Sequence, residues 1–445
     1  MKSKTIAFHH FGCKVNFAEA SSISRQFQEN GFEITDFHDP ADIYVISTCV
    51  VTAVAEKKCR AAIRQAHKIN PEAKIAVIGC FSELKPNELS QIDGVDLVLG
   101  HYQKFQLLEE ILKLDQVHAP VREKLIKPGQ ITERYKNPRD CTGGNSFVPS
   151  FSYGDRTRSF LKIQDGCDYY CSYCTIPLAR GKSRSDTIDN VVKNAREIIS
   201  HGIREIVLTG VNIGDFGKHN GENFTQLIHA LDKLKEISRI RISSIEPDLL
   251  TNEIIEFVAA SRNFMPHFHI PLQSGSNKIL KAMHRKYKKE LYSERILKIS
   301  SLMPHACIAA DVITGFPGET DQDFLDTYNF LEQLDISYMH VFTYSKRDNT
   351  VAAKMDAVVA DKVKKERSCR LHHLSEDKKR KFYRQNFGRE VNVLFESDNS
   401  MGFMHGFSEN YIKVKTTYNP HFVNQIVTAK LENYDVDSYL VNLIG

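Results

Sequence analysis

The 445-residue chain has no long apolar run, and none approaches the roughly 20 residues that a membrane-spanning helix requires. The N-terminal stretch MKSKTIAFHH has too short an apolar segment for a secretory signal peptide. The ten cysteines are spread along the chain, which argues against a secreted disulfide framework. The net charge of +4 is too small to indicate a nucleic-acid binder by itself. We therefore expect a soluble protein of a reducing cytoplasm, without a membrane partner.

A fourth cysteine is missing where three others cluster. Cys167, Cys171 and Cys174 lie in the short segment DGCDYYCSYCTIP. Structural zinc usually takes four Cys or His ligands, and an electron-transfer cubane takes four thiolates. Three thiolates at this spacing can hold a [4Fe–4S] cluster and leave one iron open to another ligand. The alternatives are a zinc knuckle and a chance cysteine-rich loop.

The first part of the chain, residues 1–118, is predicted to be a small parallel α/β domain. The length suggests about three domains. Apolar runs typical of strands occupy residues 5–8, 43–46, 74–78 and 95–99. Helical patterns occupy residues 17–30 and 53–70, and Gly31 and Pro71 mark their ends.

Cysteines follow three of these predicted strands. Cys13 follows the first, Cys49 the second and Cys80 the third, at separations of 36 and 31 residues that suit βαβ units. Because parallel strands share an orientation, the three thiols should emerge at the carboxyl edge of one sheet, where open α/β sheets bind ligands. This placement predicts a second three-cysteine metal site. Three buried structural thiols are the alternative.

The remainder is predicted to contain a connector and two further domains. The connector, residues 119–152, includes Cys141, which has no partner at ligand spacing. Between residues 153 and 380, strand-like runs at 160–164, 205–209, 239–245, 268–272, 308–314 and 338–344 alternate with helices. Six βα units are fewer than the eight of a closed barrel, which predicts an open, partial (β/α)6 barrel. Residues 381–445 are β-rich and predict a small β-barrel.

The order of motifs resembles the radical S-adenosylmethionine (SAM) methylthiotransferase family, and in particular the branch that modifies N6-threonylcarbamoyladenosine next to the tRNA anticodon. The motifs are GCKVN (12–16), STC (47–49), IGC (78–80), GCDYYCSYCTIPLARGKSRS (166–185), LTGVNIG (208–214), RISSIEP (241–247), HIPLQSGS (269–276), DVITGFPGET (311–320) and FTYSKRDNT (342–350). The resemblance covers essentially the whole chain. It implies that the central domain is a radical SAM partial barrel and the tail a TRAM domain that binds RNA.

The resemblance also implies the cofactors and the catalytic cysteines. Two [4Fe–4S] clusters are expected, the radical SAM cluster on Cys167, Cys171 and Cys174 and an auxiliary cluster on Cys13, Cys49 and Cys80. One SAM would methylate sulfur carried on the auxiliary cluster, and a second would yield the deoxyadenosyl radical that removes hydrogen from C2 of the adenine. An aromatic C2–H is neither acidic nor hydridic, so this step suits a cofactor better than acid–base catalysis. An electron donor such as flavodoxin or ferredoxin is also implied.

Contacts to SAM are predicted at the carboxyl ends of the central strands. Tyr173 is expected near the adenine, and the loop of Gly315 and Phe316 where its backbone can approach the nucleoside. Further candidate SAM ligands are Asn212, Ser243, Ser244, Glu246, Gln273 and Ser274. The alternatives are that the Tyr173 ring only shields the cluster, that the loop of Gly315 and Phe316 is a simple turn, and that the polar residues only cap the ends of strands.

Contacts to tRNA are predicted from basic residues. The candidates are Arg180, Lys182 and Arg184, then Lys281, Arg285, Lys286, Lys288 and Lys289, and the helix at 361–381, where nine Lys and Arg oppose four Asp and Glu. Residues 382–445 have a net charge of −2, so the tail would need a local patch such as Tyr411, Lys413 and Lys415. A solvated helix face is the alternative for each basic run. Cys59, Cys307 and Cys369 are predicted to be packing residues, and His267 and His269 show no ligand spacing.

Other functions fit part of the pattern. The same chemistry could act on N6-isopentenyladenosine in tRNA or on an aspartate of a ribosomal protein, although relatives of the isopentenyl type typically have GCQMN in place of GCKVN. A non-catalytic iron–sulfur or zinc protein that binds RNA would show no SAM cleavage. A methyltransferase that uses SAM without radicals would leave both cysteine triads unexplained.

Overall fold

The computed structural model describes residues 3–50, 53–116, 125–127, 146–154, 156–434 and 438–443. The chain divides into two compact units, one of residues 1–152, 165–170 and 174–184, the other of residues 153–164, 171–173 and 185–445. Cys141 and most of the predicted connector lie outside the described residues. The domain boundaries derived from the sequence stay predictions. Within the described ranges, no helix is both long enough and apolar enough to cross a membrane.

The first unit contains a parallel sheet with the strand order β2-β1-β3-β4-β5-β6. Its strands are β1 (Thr5–His10), β2 (Glu33–Thr35), β3 (Ile43–Thr48), β4 (Lys74–Gly79), β5 (Val95–Leu99) and β6 (Leu125–Lys127), and β7 (Ser150–Phe151) follows. The helices are Lys14–Glu29, Ala53–Ile69, Cys80–Leu84, Pro86–Ser90, Leu107–Gln116 and Ile176–Arg180, with a 3-10 turn at Gln103–Gln106. The predicted parallel α/β domain is therefore confirmed. Strand β2 was not predicted, because its three residues, none of them buried, are too few to show a period.

Successive side chains of β3 point to opposite faces of the sheet, and each face is covered by helices. Tyr44 and Ile46 belong to one apolar cluster with Ile63 of the helix Ala53–Ile69. Ile43 and Val45 belong to another with Phe27 of the helix Lys14–Glu29. Every residue of β3 is buried, which produces the continuous apolar run seen in the sequence.

The second unit contains the six parallel strands of the predicted partial barrel. They are β8 (Arg158–Lys162), β11 (Glu205–Thr209), β12 (Arg239–Ile242), β13 (His267–Gln273), β14 (Cys307–Thr314) and β15 (Tyr338–Thr343). The short strands β9 (Gln164–Asp165) and β10 (Arg184–Ser185) pair with each other on either side of the cysteine-rich loop. The helices are Ile188–Ser200, Phe224–Asp232, Asn252–Ala260, Asn277–Ala282, Lys289–Leu302 and Asp321–Gln333, with 3-10 turns at Ile213–Asp215 and Ala352–Lys354. Isolated parallel bridges, Ile240 to Phe264 and Ser244 to His269, join the two halves of the sheet.

The C-terminal part of the second unit is a closed barrel of antiparallel and parallel pairs. The helix Asp361–Gln385 leads into β16 (Glu390–Phe395), β17 (Phe403–Ser408), β18 (Lys413–Thr417), β19 (Ile426–Tyr434) and β20 (Tyr439–Leu443), with a 3-10 turn at Pro420–Phe422. The barrel closes in the order β16-β17-β18-β20-β19. Alternate residues Val391, Val393 and Phe395 of β16 fill its core. The predicted small β-barrel is confirmed, although the sequence indicated neither β17 nor β20.

Three arginines fix this barrel to the amino ends of the central strands. Arg239 donates to the backbone carbonyls of Asn392 (2.5 Å) and Phe407 (3.1 Å), and Arg241 donates to that of Glu409 (3.0 Å). Arg158 pairs with Glu396 of the barrel at 2.9 Å, and Arg239 and Arg241 also pair with Glu205. Glu205, Arg239 and Arg241 are buried, so this part of the contact is a desolvated polar interface.

Candidate functional site

Cys13, Cys49 and Cys80 lie at the carboxyl edge of the sheet in the first unit. Cys13 precedes the helix Lys14–Glu29, Cys49 follows β3 directly, and Cys80 follows β4 and begins the helix Cys80–Leu84. The strands before them, β1, β3 and β4, are neighbours in the sheet. None of these three described cysteines forms a disulfide, and Cys13 is exposed whereas the other two are buried. The topology therefore brings these residues to one edge, as the separations of 36 and 31 residues indicate.

Two glycines allow the backbone to come close at this edge. Gly12 and Gly79 both have φ +106°, a value that favours glycine. A Cβ on Gly12 would lie 3.0 Å from Cβ of Cys49, and one on Gly79 would lie 2.9 Å from the carbonyl oxygen of Thr48. The side chain of Asn16 donates to the same carbonyl at 2.9 Å. The loops that carry Cys13 and Cys49 are thus fastened together.

The thiol of Cys80 lies in a buried setting close to two cations. Burial raises the pKa of Cys80, and the charges of Arg180 and Lys104 oppose that rise. A metal cluster would bind the thiolate and would therefore gain from these two cations.

The loop from Cys167 to Cys174 carries hydrogen bonds suited to thiolate ligands. The backbone N–H of Tyr169 donates to Sγ of Cys167 (3.3 Å), and that of Ile176 donates to Sγ of Cys174 (3.5 Å). These groups belong to the first unit. Hydrogen bonds to cysteine sulfur are a feature of iron–sulfur sites, where they influence the reduction potential.

Gly166 fixes the start of this loop. It has φ +67°, and a Cβ at this position would lie 2.0 Å from the backbone oxygen of Lys182. The next residue, Cys167, donates its N–H to the carbonyl of Gly181 at 3.1 Å. The two ends of the loop are therefore in backbone contact, and only glycine fits where they meet.

We expect Gly166→Ala to destabilise the protein by about 3 kcal/mol or more, because it combines an unfavourable φ with a backbone clash. Gly31→Ala is the matched control, since Gly31 has φ +82° but nothing within 4 Å of its Cβ position. The control substitution should lower the free energy of unfolding by about 1–2 kcal/mol. Urea unfolding of the apoprotein, followed by circular dichroism, measures both. Equal losses would contradict the assigned contact with Lys182.

Cys171 lies in the second unit beside a buried ion pair. The guanidinium of Arg285 donates to Sγ of Cys171 at 3.2 Å and also pairs with the carboxylate of Glu246. Burial raises the pKa of Glu246 to about 7, although Arg285 opposes the rise. The side chain of Arg285 is only 3% exposed, so the prediction that it contacts RNA phosphates is wrong. Glu246, a candidate SAM ligand, already holds Arg285 against the sulfur.

Two further SAM candidates have features typical of ligand sites. Asn212 is 2% exposed, and its side-chain N–H donates to Asp215 (3.1 Å), while its buried Oδ1 accepts no hydrogen bond from any described residue. Gln164 accepts from the backbone N–H of Asn212 at 2.8 Å and so fixes it in place. Gln273 has φ +68° at a register shift at the end of β13. An orphaned acceptor and a strained backbone at strand ends both fit a bound polar ligand.

The serine candidates are engaged within the protein. Ser274 is buried, with Oγ 3.2 Å from Oγ1 of Thr327, and it accepts from the N–H of Ser276 at 3.2 Å. Ser243 is 5% exposed just beyond the end of β12, and its N–H donates to the carbonyl of Leu208. Ser244 forms the bridge to His269. Their roles in SAM binding stay predictions.

The aromatic candidates form a packed cluster. Phe316 is fully buried and makes edge contacts with Tyr173 (centroids 6.4 Å apart) and Tyr344 (5.7 Å). Gly315 has φ +71°, and its N–H donates to Glu319 at 2.7 Å. The Phe316 ring is thus part of the core, and the approach of this loop to the nucleoside of SAM stays a prediction.

Several basic residues predicted to bind RNA are buried instead. Arg180 is 1% exposed and pairs with Glu19 and Asp165, and Arg184 also pairs with Asp165. The prediction for Arg180 is therefore wrong, that for the partly exposed Arg184 stays a prediction, and Lys182 between them is exposed. A charged residue gives no sign in the sequence of whether its partner is water or a distant carboxylate.

Tyr411 also differs from its prediction. Its hydroxyl accepts from Arg158 (3.3 Å), and its ring stacks on Phe407 and lies 4.6 Å from the ring of His267. Tyr411 thus belongs to the interface with the central strands and does not offer a free face to RNA. The residue's φ of +65° is tolerated because these contacts hold it.

The remaining cysteines and histidines give mixed results. Cys59 and Cys307 are buried packing residues as predicted, but Cys369 is exposed, so its prediction is wrong. The sequence did not indicate that His269, Asp311 and His340 come together, because parallel strands bring them there from distant positions. His269 Nε2 lies 2.8 Å from the carboxylate of Asp311.

Comparison with known proteins gives matches along nearly the whole chain. Family models match at residues 5–100, described as "Uncharacterized protein family UPF0004", and at residues 161–331, described as "Radical SAM superfamily". A threonylcarbamoyladenosine tRNA methylthiotransferase MtaB from Bacillus subtilis is 39% identical, over 96% of this chain and 93% of its own. The MtaB of Aquifex aeolicus is 37% identical, over 92% and 96%.

More distant relatives extend this comparison. A tRNA-2-methylthio-N(6)-dimethylallyladenosine synthase from Bacillus licheniformis is 31% identical, over 98% of this chain and 85% of its own. Among solved structures, the radical S-adenosylmethionine methyltransferase TsrM from Kitasatospora setae aligns with a TM-score of 0.55 at 16% identity. That alignment covers 79% of this chain and 77% of TsrM, and it supports the fold alone.

Proposed function

Because the chain belongs to the radical SAM methylthiotransferase family, we propose that it adds a methylthio group to C2 of N6-threonylcarbamoyladenosine (t6A) next to the anticodon of tRNA. The observation that carries the substrate assignment is the higher identity to two full-length MtaB enzymes, 39% and 37%, than to the dimethylallyladenosine synthase, 31%. The motif GCKVN at residues 12–16 supports the same assignment.

Family membership brings a [4Fe–4S] cluster and SAM to this chain. We assign the radical SAM cluster to Cys167, Cys171 and Cys174, and an auxiliary cluster to the three cysteines at the sheet edge. When bound, the first cluster supplies the electron that cleaves SAM, and the second carries the sulfur to be transferred. An electron donor such as flavodoxin or ferredoxin, and a cytoplasmic location with the tRNA, belong to the same proposal.

The protein's own residues hold and shield these groups. Arg285 donates to the sulfur of Cys171 and is kept in position by Glu246. Asn212 offers its orphaned Oδ1 to a hydroxyl or amino group of SAM. The burial of Cys49 and Cys80 keeps water from their sulfurs.

For tRNA, we assign phosphate binding to the exposed cations of the helix Asp361–Gln385. Its exposed cations are Lys362, Lys365, Arg370, Arg380, Lys381 and Arg384. Arg367 and Lys378 are not available, because Arg367 pairs with Glu319 and Lys378 donates to the carbonyls of Glu332 and Leu334. A base in the single-stranded anticodon loop can be turned outward without opening a duplex.

The test is a nucleoside digest of tRNA after anaerobic reconstitution of the protein with iron and sulfide. In the presence of SAM and a reductant, tRNA that carries t6A should yield 2-methylthio-t6A. A transcript without t6A is the control and should yield no methylthio nucleoside. If only tRNA with N6-isopentenyladenosine is modified, the substrate assignment is wrong. If SAM is not cleaved at all, the enzymatic proposal fails as a whole.

A further inference from the structure

The first unit contains a buried group of charged and polar side chains next to Cys13, Cys49 and Cys80. We call it the Arg180 cluster, and its members are Asn16, Glu19, His101, Lys104, Asp165, Arg180 and Arg184. All except Arg184 are at most 3% exposed. The proposed function does not explain why these charged side chains are buried. Buried ion pairs of this kind seldom add net stability, because desolvation offsets their attraction.

Arg180 lies at the centre of the cluster. Its guanidinium donates to Glu19 (3.2 and 3.1 Å), to Asp165 (2.8 Å) and to the side-chain oxygen of Asn16. Glu19 also accepts from Lys104 at 2.5 Å, and Asp165 from Arg184 at 2.7 Å. Three cations therefore share two carboxylates.

Two other polar side chains adjoin these ion pairs. His101 lies 3.0 Å from Asp165, and burial lowers its pKa to about 3, so the ring is neutral. Glu83 is a further buried carboxyl, and it accepts from the backbone N–H of His101 (2.7 Å). The formal charge of Lys104, Arg180 and Arg184 together with Glu19 and Asp165 is +1, and Glu83 is a further carboxyl at the edge of this group.

The cluster is connected to the cysteine triad through Asn16 and a short helix. Asn16 lies one turn after Cys13, and its amide donates to the carbonyl of Thr48, the residue before Cys49. The helix Ile176–Arg180 places Ala179 in the same apolar cluster as Cys80. Arg180 is the last residue of this helix, directly after Ala179, and it also donates to the side-chain oxygen of Asn16.

We propose that Arg180 is a positioning residue for the auxiliary cluster. Its buried positive charge, partly offset by the carboxylate of Glu19, balances the negative charge of the thiolate-bound cluster and raises the reduction potential of that cluster. The inference rests on the proposed auxiliary site. The physical reason is that reduction adds an electron to an anionic group in a medium of low dielectric constant, where a fixed cation has a large effect. The potential should therefore follow the charge of the Arg180 cluster.

The experiment uses the full-length Cys167→Ala/Cys171→Ala/Cys174→Ala protein, in which the auxiliary cluster is the one to be titrated by electron paramagnetic resonance. At the ambient potential that half-reduces this parent, Arg180→Gln should raise the oxidised-to-reduced ratio about tenfold, equal to 59 mV for one electron. Glu19→Gln should lower the ratio by a similar factor. The double variant Arg180→Gln/Glu19→Gln should return close to the parent, because it restores the original charge.

Lys182→Gln is the matched control, because it removes a cation two residues away that is exposed to water. It should leave the ratio unchanged. If Arg180→Gln does not fold, Glu19→Gln and the double variant still carry the test. Unchanged ratios, or shifts of the same sign in Arg180→Gln and Glu19→Gln, would overturn the inference. If the parent contains no cubane by iron and sulfide analysis, the proposed auxiliary site fails instead.

Discussion

Replacement of Cys171 by alanine should abolish SAM cleavage. A cluster that leaves one iron open has three protein ligands, and the loss of one thiolate removes the site that SAM needs. The change also leaves the guanidinium of Arg285 without the sulfur it contacts at 3.2 Å. The measurement is formation of 5′-deoxyadenosine from SAM by the reconstituted, reduced protein. Full activity in this variant would remove Cys171 from the proposed cluster.

Cys49→Ala should separate the two proposed clusters. Since Cys49 belongs to the sheet edge of the first unit and not to the loop of Cys171, SAM cleavage should continue while no methylthio nucleoside forms. Cys369→Ala is the control, because this cysteine is exposed and belongs to neither triad. It should behave as the unmodified protein does in both assays. Methylthiolation by Cys49→Ala would contradict the auxiliary assignment.

Glu205→Gln should cost about 3–5 kcal/mol of stability, because it removes the carboxylate from a buried ion-paired group. Glu205 is fully buried and accepts from Arg241 at 3.0 and 3.1 Å, and Arg239 lies 3.6 Å away. Both arginines also hold the C-terminal barrel, so the loss should appear in its docking as well. Urea unfolding measures the loss, and proteolysis after residue 385 reports on the barrel.

The control for this variant is Glu396→Gln. Glu396 pairs with Arg158 at 2.9 Å, but its side chain is 33% exposed, so its removal should cost about 0–1 kcal/mol. Similar losses in the two variants would show that burial of the Glu205 ion pair does not determine its contribution.

The same carboxylate should make stability depend on pH. Burial alone would raise the pKa of Glu205, but the charges of Arg241, Arg158 and Arg239 and the hydrogen bonds from Arg241 together outweigh it, and the pKa falls to about 2 from an ordinary value of 4.5. Between these values the unfolded chain binds more protons than the folded one. The stabilisation is therefore complete above about pH 4.5 and declines as the pH falls towards 2. Glu205→Gln should flatten the acid limb of the curve of unfolding free energy against pH.

The sequence was sufficient for the main strands of the first unit and of the partial barrel, and for the location of the cysteines. Apolar runs such as residues 205–209 coincide with a strand because both faces of a parallel sheet are buried. The alternation of strands and helices then places Cys13, Cys49 and Cys80 at one edge, since parallel strands all end on the same side. Cys167, Cys171 and Cys174 lie in one short segment, so their proximity can be predicted without the tertiary structure.

Only the tertiary structure decided what the charged residues do. Arg180 and Arg285 lie in basic stretches that resemble RNA-binding segments, yet each is buried and paired with a carboxylate distant in the sequence, Glu19 and Glu246 respectively. A local pattern can predict which face of an element is apolar, because that face repeats with the period of the backbone. The partner of a charge has no such period, because it depends on which distant elements pack together.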